Sequence, residues 1–170
     1  MAAKLLKTER FSLPASRFIG RRYTGSDRQN ETFGHLWQEW FEKELFPPLE
    51  ALGSLAEHGG AYAGLMRPQN GELEYWIGMF FPEQTAVPPG YESAAAAAGD
   101  FALCYIYGNE QNGEIYGEQP HRLCLASIAE HGWRYQEGGW VFERYSCPRF
   151  TAPDEAGNVI LDYGFALAKG

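Results

Sequence analysis

A short motif occurs twice in this chain, and its recurrence constrains the fold more than any other feature. Leu73-Glu74-Tyr75 returns as Leu161-Asp162-Tyr163. Around each copy the same order of elements can be read: strand, helix, strand, strand, over residues 11–81 and again over 101–168. Self-similarity of this kind points to a duplicated supersecondary unit. The expected fold is therefore α+β: two βαββ units related by a pseudo-twofold axis, with antiparallel sheets and helices on one face. A single domain over residues 1–170 is expected, its halves joined by a connector at 82–100. The cleft between such halves is a natural ligand site.

Periodicity places the elements. Phe11 to Tyr23 reads as a first strand, and Thr24-Gly25-Ser26-Asp27 as a turn. Asn30 or Thr32 can cap a helix running to about Leu45, where Pro47-Pro48 ends it. Its apolar residues Phe33, Leu36, Trp37, Trp40, Phe41 and Leu45 fall at i, i+3, i+4, i+7 spacing. Such a stripe belongs to a core, because an amphipathic helix must bury its face. Two tryptophans one turn apart still leave Trp37 and Trp40 as pocket candidates. Ala61 to Met66 is a second strand, Pro68-Gln69-Asn70-Gly71 a hairpin turn, and Leu73 to Phe81 a third strand. Gly78 inside that strand marks a bulge or a close approach.

In the second half, Tyr91 to Ala98 reads as an edge strand. Phe101 to Tyr107 is a strand with Phe101, Leu103, Tyr105 and Tyr107 on one face. Gly113 to Glu130 is a helix that Pro120 either kinks or opens, and His131-Gly132 is its C-cap. A strand runs from Gly139 to the residue before Pro148, and a last one from Val159 to Ala168.

Most chemistries find no residues to carry them. His35, His58, His121 and His131 are scattered and form no metal-binding pattern, so no metal is expected. No glycine-rich phosphate loop and no nucleophile elbow occurs, and no cofactor is expected. The net charge of -8 argues against a nucleic-acid binder. Cys104, Cys124 and Cys147 give neither a disulfide framework nor a CxxC site, which suits a reducing, cytoplasmic setting. Cys104, on an apolar strand, reads as inert core. Neither a signal peptide nor a membrane-length apolar run is present, so no membrane role is expected.

What remains is one carboxylate and many rings. On the strand after Gly139, Val141, Glu143 and Tyr145 share one face. Glu143 is thus flanked by apolar and aromatic neighbours, where a carboxylate is costly unless it meets a cation, a donor or a proton. A site and a structural partner are both open. Aromatic residues make up 15% of the chain, enough to line a cavity. Tyr105, Tyr107, Trp76, Trp40 and Tyr145 could box a flat or cationic ligand, each desolvated cation–ring contact adding about 2 kcal/mol.

Four motifs in order resemble the GyrI-like small-molecule-binding family: Tyr75-Trp76-Ile77-Gly78, Val87-Pro88-Pro89-Gly90-Tyr91, Phe142-Glu143-Arg144-Tyr145, and the run from Asp154 to Tyr163. That family includes effector-binding domains of AraC-type and MerR-type regulators. The resemblance spans about Phe11 to Lys169. It implies a central pocket for lipophilic, often cationic compounds, with Glu143 at the position of the pocket glutamate. Trp40, Trp76, Tyr107 and Tyr145 carry over as its ring lining. No helix-turn-helix precedes the domain, so direct nucleic-acid binding is not expected.

Three readings follow. The chain binds and sequesters a lipophilic, aromatic or cationic small molecule. Or it is an enzyme, similar to stand-alone relatives that open the cyclopropane of DNA-alkylating toxins, with Glu143 as general base and Tyr145 or Tyr107 orienting water or substrate. Or it inhibits a protein partner, such as a regulator or gyrase.

Overall fold

The computed structural model describes residues 2–169. The chain divides into two units by contact. One comprises Pro14–Ala98 and is called here the central unit, from its place in the sequence. The other, the terminal unit, joins the residues up to Leu13 with those from Gly99 onward.

Pro14 explains the first departure from the sequence reading. The expected strand at 11–23 is two strands, β1 (Lys4–Leu13) and β2 (Ser16–Thr24). Proline fixes φ and has no N–H for a ladder, so the chain breaks there. The break also divides the units: β1 pairs with a strand of the terminal unit, and β2 with strands of the central one.

In the central unit β2 is followed by α1 (Gly34–Glu42), α2 (Pro47–Glu50), β3 (Tyr62–Gln69), β4 (Glu72–Pro82) and β5 (Glu92–Ala96). The strands form an antiparallel sheet in the order β3-β4-β2-β5. Asn70 and Gly71 both have positive φ, 53° and 76°, as a two-residue hairpin turn requires. Gly78 lies opposite Gly20, and a Cβ on Gly78 would sit 2.1 Å from the Ile19 carbonyl oxygen. Of the two roles open to Gly78, the close approach is the one found.

α1 starts later than expected. Asn30 and Glu31 are left-handed, at φ 53° and 63°, which bars a helix from either. Its cap residue is Phe33, which offers no side-chain acceptor. Pro47 opens α2, the position at which a missing N–H costs nothing. Part of the expected apolar stripe forms core: Leu36 and Trp40 pack with Phe46, Leu49, Ile19, Tyr75, Ile77, Met79 and Phe81, whereas Phe41 is exposed.

The terminal unit repeats the plan. β6 (Gly99–Asn109), α3 (Glu118–Glu130), β7 (Val141–Tyr145) and β8 (Asn158–Ala166) follow in order, and β1 completes the sheet as β1-β6-β8-β7. Pro120 is the third residue of α3, so it marks the true start and kinks nothing. The 82–100 connector is not a free link: β5 within it pairs with β2, and Gly99 already belongs to β6.

Register sets the faces of this sheet. Thr8, Cys104, Tyr163 and Glu143 lie in one cross-strand row; Lys7, Tyr105, Asp162 and Arg144 lie in the next. Adjacent rows point to opposite faces. α3 covers the first face, where the Ser127 and Thr8 hydroxyls are hydrogen-bonded at 2.7 Å.

Candidate functional site

Glu143 is buried, with 8% of its surface exposed, and faces the helix side of the terminal unit. Three tyrosines gather there. Tyr163 is its direct cross-strand neighbour on β8. Tyr145 follows two residues later on the same face of β7 and packs edge-on against Phe150, 4.7 Å between centroids. Tyr116, from the loop before α3, hydrogen-bonds Tyr145 and lies within the field of the Glu143 charge. Burial, reinforced by that charge, drives the Tyr116 and Tyr163 phenols well above the usual tyrosine range. Both therefore stay protonated and can serve as hydroxyl donors. The Tyr163 hydroxyl is already committed, donating to the Ile115 carbonyl at 2.7 Å.

α3 contributes His121, whose ring meets Tyr163 edge-on at 4.8 Å and Phe165 at 5.5 Å. Burial lowers its pKa and holds it neutral at pH 7. Beneath these lie Cys104 and Cys124, both buried and in mutual contact. Cys104 is core, as expected; Cys147 is exposed.

The reverse face is built differently. Asp162, fully buried, accepts from Arg144 at 2.9 Å, from Arg149 at 2.8 Å and from Ser146 at 3.2 Å. Tyr105 stands beside this cluster with Arg149 and Lys7 over its ring, at 5.5 and 5.1 Å. Burial and a hydrogen bond to Glu9 push its phenol up to about 12. Tyr107 lies under Lys4 and donates to Asp154.

The structure thus brings Glu143 and Tyr145 together, but not Tyr105 or Tyr107 with them. All four stand at odd positions, yet β6 and β7 are each paired to β8 so that odd residues of β6 fall in line with even residues of β7. Parity within a strand is legible from sequence; register between strands is not. The tryptophans occupy the central unit. Trp40 is fully buried and donates its indole N–H to Tyr23 at 2.9 Å. Trp37, half-buried on the same helix, donates to Tyr75 at 2.8 Å. Trp76 faces the other side of that sheet, bonded to Glu74 at 2.6 Å and edge-on to Phe18. So Trp76 does not share a cavity wall with Trp37 and Trp40.

The residues the sequence reading missed are Tyr116, Tyr163 and His121. Tyr163 stood in plain view within the repeated motif; Tyr116, on a loop, carried no signal. Among the described residues no group of three or more His, Cys, Asp or Glu side chains could hold a metal ion. Among the described residues no helix is long and apolar enough to cross a membrane.

Neither a family profile nor a curated protein matches the chain in sequence. Solved structures do match in fold. SAV2435 bound to tetraphenylphosphonium superposes with a TM-score of 0.72 at 14% identity, over 96% of this chain and 94% of that one. A Staphylococcus aureus protein provisionally designated a bacterial transcription regulation protein gives 0.70 at 15% identity, over 96% and 99%. A hydrolase from Listeria innocua gives 0.54 at 12% identity, over 95% and 92%. At these identities the likeness is one of fold: the chain has the α+β architecture of SAV2435 along nearly its whole length.

Proposed function

We propose that this chain is a GyrI-like small-molecule-binding protein whose ligand is a lipophilic, aromatic cation, and that Glu143 anchors it. The observation that carries this reading is the setting of Glu143, a buried carboxylate facing the phenols of Tyr116 and Tyr163, which its own charge and burial keep protonated. A negative charge among ring faces is the environment that favours a soft cation over a hydrated one. The tetraphenylphosphonium bound by SAV2435, a protein of the same fold, is such a cation. In this reading Tyr116 and Tyr145 supply the ring contacts, while Tyr105, Tyr107 and the three tryptophans serve their units as packing.

Calorimetric titration with tetraphenylphosphonium tests the proposal. Wild type is expected to bind it and to ignore the anion tetraphenylborate. Glu143→Gln, which keeps the shape and removes the charge, is expected to weaken binding about thirty-fold, or about 2 kcal/mol. Equal affinity of the two proteins for the cation would rule out Glu143 as the anchor.

The hydrogen-bonded Tyr116–Tyr145 pair beside Glu143 favours a second reading, hydrolysis. Glu143 would take a proton from water while a phenol donates to the oxygen of a strained electrophile. Incubation with a cyclopropane-bearing alkylator, followed by mass, separates the two: a product with one added water that Glu143→Gln fails to form supports the enzyme, and unchanged alkylator refutes it. Recovery of a stoichiometric regulator or gyrase from a pull-down would favour an inhibitor instead.

A further inference from the structure

We infer that Tyr163 is a positioning residue: through the Ile115 carbonyl its hydroxyl holds the 109–117 loop against the sheet and so sets Tyr116 beside Glu143. The inference rests on the binding reading above and adds a residue that acts on the site at one remove.

The loop carries a hydrogen-bond network of its own. Asn109 Oδ1 accepts the N–H groups of Gln111 and Asn112, Asn112 Oδ1 accepts that of Glu114, and Glu114 Oε1 returns to the Asn109 N–H at 2.6 Å. The Tyr116 N–H bonds the Gly113 carbonyl at 3.0 Å. Gly113 within the segment and Gly117 at its end have φ of 77° and 88°, conformations that L side chains rarely adopt. Among the described contacts, two tie Ile115 to the sheet. The Ile115 side chain, fully buried, presses on Gly108 so closely that a Cβ there would meet its Cγ2 at 2.9 Å. Beside it the Tyr163 hydroxyl donates to the Ile115 carbonyl at 2.7 Å.

Position in sequence then does the rest. Ile115 immediately precedes Tyr116, and Tyr163 is the cross-strand neighbour of Glu143. One phenol on β8 therefore touches the carboxylate's strand through register and the neighbouring phenol's backbone through its hydroxyl. Without that hydroxyl the Ile115 carbonyl loses its donor in a buried place, and the loop relaxes to find water.

Tyr163→Phe keeps the ring and its packing and removes only the hydroxyl. Hydrogen exchange on the peptide covering 109–117 is expected to speed up about tenfold, with exchange in β6 and β8 unchanged. Tetraphenylphosphonium affinity is expected to fall about five-fold. Tyr116→Ala removes the ring contact and should lower affinity by itself; the double variant should be no weaker than the worse single one, since both act through one ring. Unchanged exchange in the loop would overturn the inference, and so would independent, multiplying losses of affinity in the cycle. A wild type that does not bind tetraphenylphosphonium would remove the proposed ligand class; the exchange comparison would then decide the latch by itself.

Discussion

Asp162→Asn should loosen the strand that carries Glu143, and the structure sets how much. One oxygen of Asp162 receives Arg144 Nε at 2.9 Å, Arg144 Nη2 at 2.8 Å, Ser146 Oγ at 3.2 Å and a second arginine, Arg149; the other oxygen receives Arg149 Nε at 2.8 Å. All of these are donors. An asparagine can turn its oxygen toward one set only, and its NH2 then faces donors on the other. Removing the charge also leaves two guanidinium groups without their shared anion. Breaking a buried ion pair from one side costs about 3–5 kcal/mol. Arg149 has 35% of its side chain exposed, against 7% for Arg144, so water compensates part of the loss on that side. About 3 kcal/mol is the expected cost. For a chain of this size that lowers Tm by about 6–12 °C. Urea unfolding followed by tryptophan fluorescence reads the same quantity, and Trp133 and Trp140 report from the terminal unit. Because Arg144 pairs with Asp162 next to the Glu143–Tyr163 pair, ligand affinity should fall as well. A loss of less than 1 kcal/mol would refute the reasoning, since it would mean that the cluster is already solvated.

Two further outcomes can be stated more briefly. Gly78→Ala should destabilise the central unit by about 3 kcal/mol or more, because the new Cβ would meet backbone atoms of Ile19 and Gly20 at 2.1 and 2.8 Å rather than a side chain that can turn away; a thermal melt within 1 °C of wild type would contradict this. Tyr105, raised to about 12 by burial and its bond to Glu9, should lend stability that is intact below pH 10 and lost as pH climbs toward 12, since the unfolded chain releases the phenolic proton first; unfolding at fixed urea across pH 9–12 checks it, and Tyr105→Phe should flatten the slope.

The sequence was legible where chemistry is local. The turn at Asn70-Gly71, the special place of Gly78, a helix boundary near Pro120 and the parity of Val141, Glu143 and Tyr145 all depend on a few adjacent residues. Errors arose where the answer depends on distant partners. β1 begins at Lys4 because β6 offers it a ladder, not because Lys4 to Arg10 has strand character of its own. Asn30 and Thr32 have good capping side chains, yet a left-handed backbone at Asn30 and Glu31 delays the helix. Tyr105 and Tyr107 share odd numbering and an aromatic strand with the pocket candidates, yet register turns them to the face opposite Glu143.

The two copies of the repeat agree on one face of their sheets and differ on the other. Aligned on register, Arg67 opposite Glu74 corresponds to Arg144 opposite Asp162, and in both units the acid is buried on the face away from the helix. Glu74 is held by Arg67 at 3.1 Å, by Arg22 at 3.4 Å and by the Trp76 indole, so in both copies an arginine opposite the acid ties the equivalent strand pair, and a second arginine joins from elsewhere, Arg22 on β2 in one and Arg149 after β7 in the other. On the other face the next pair is Met66 opposite Tyr75 in the central unit and Glu143 opposite Tyr163 in the terminal one. Met66 packs against the central hydrophobic core, and Tyr75 stacks on Phe33 at 3.9 Å while accepting from Trp37. That half has filled its helix-side face with apolar contact. The terminal half keeps a carboxylate at the same register position, with Tyr163 across from it and Tyr145 two residues along the strand. The reverse-face ion cluster is common to both copies and is therefore the structural part of the motif. The helix-side residue differs, methionine in one copy and glutamate in the other, and it is this difference that the Glu143→Gln comparison probes.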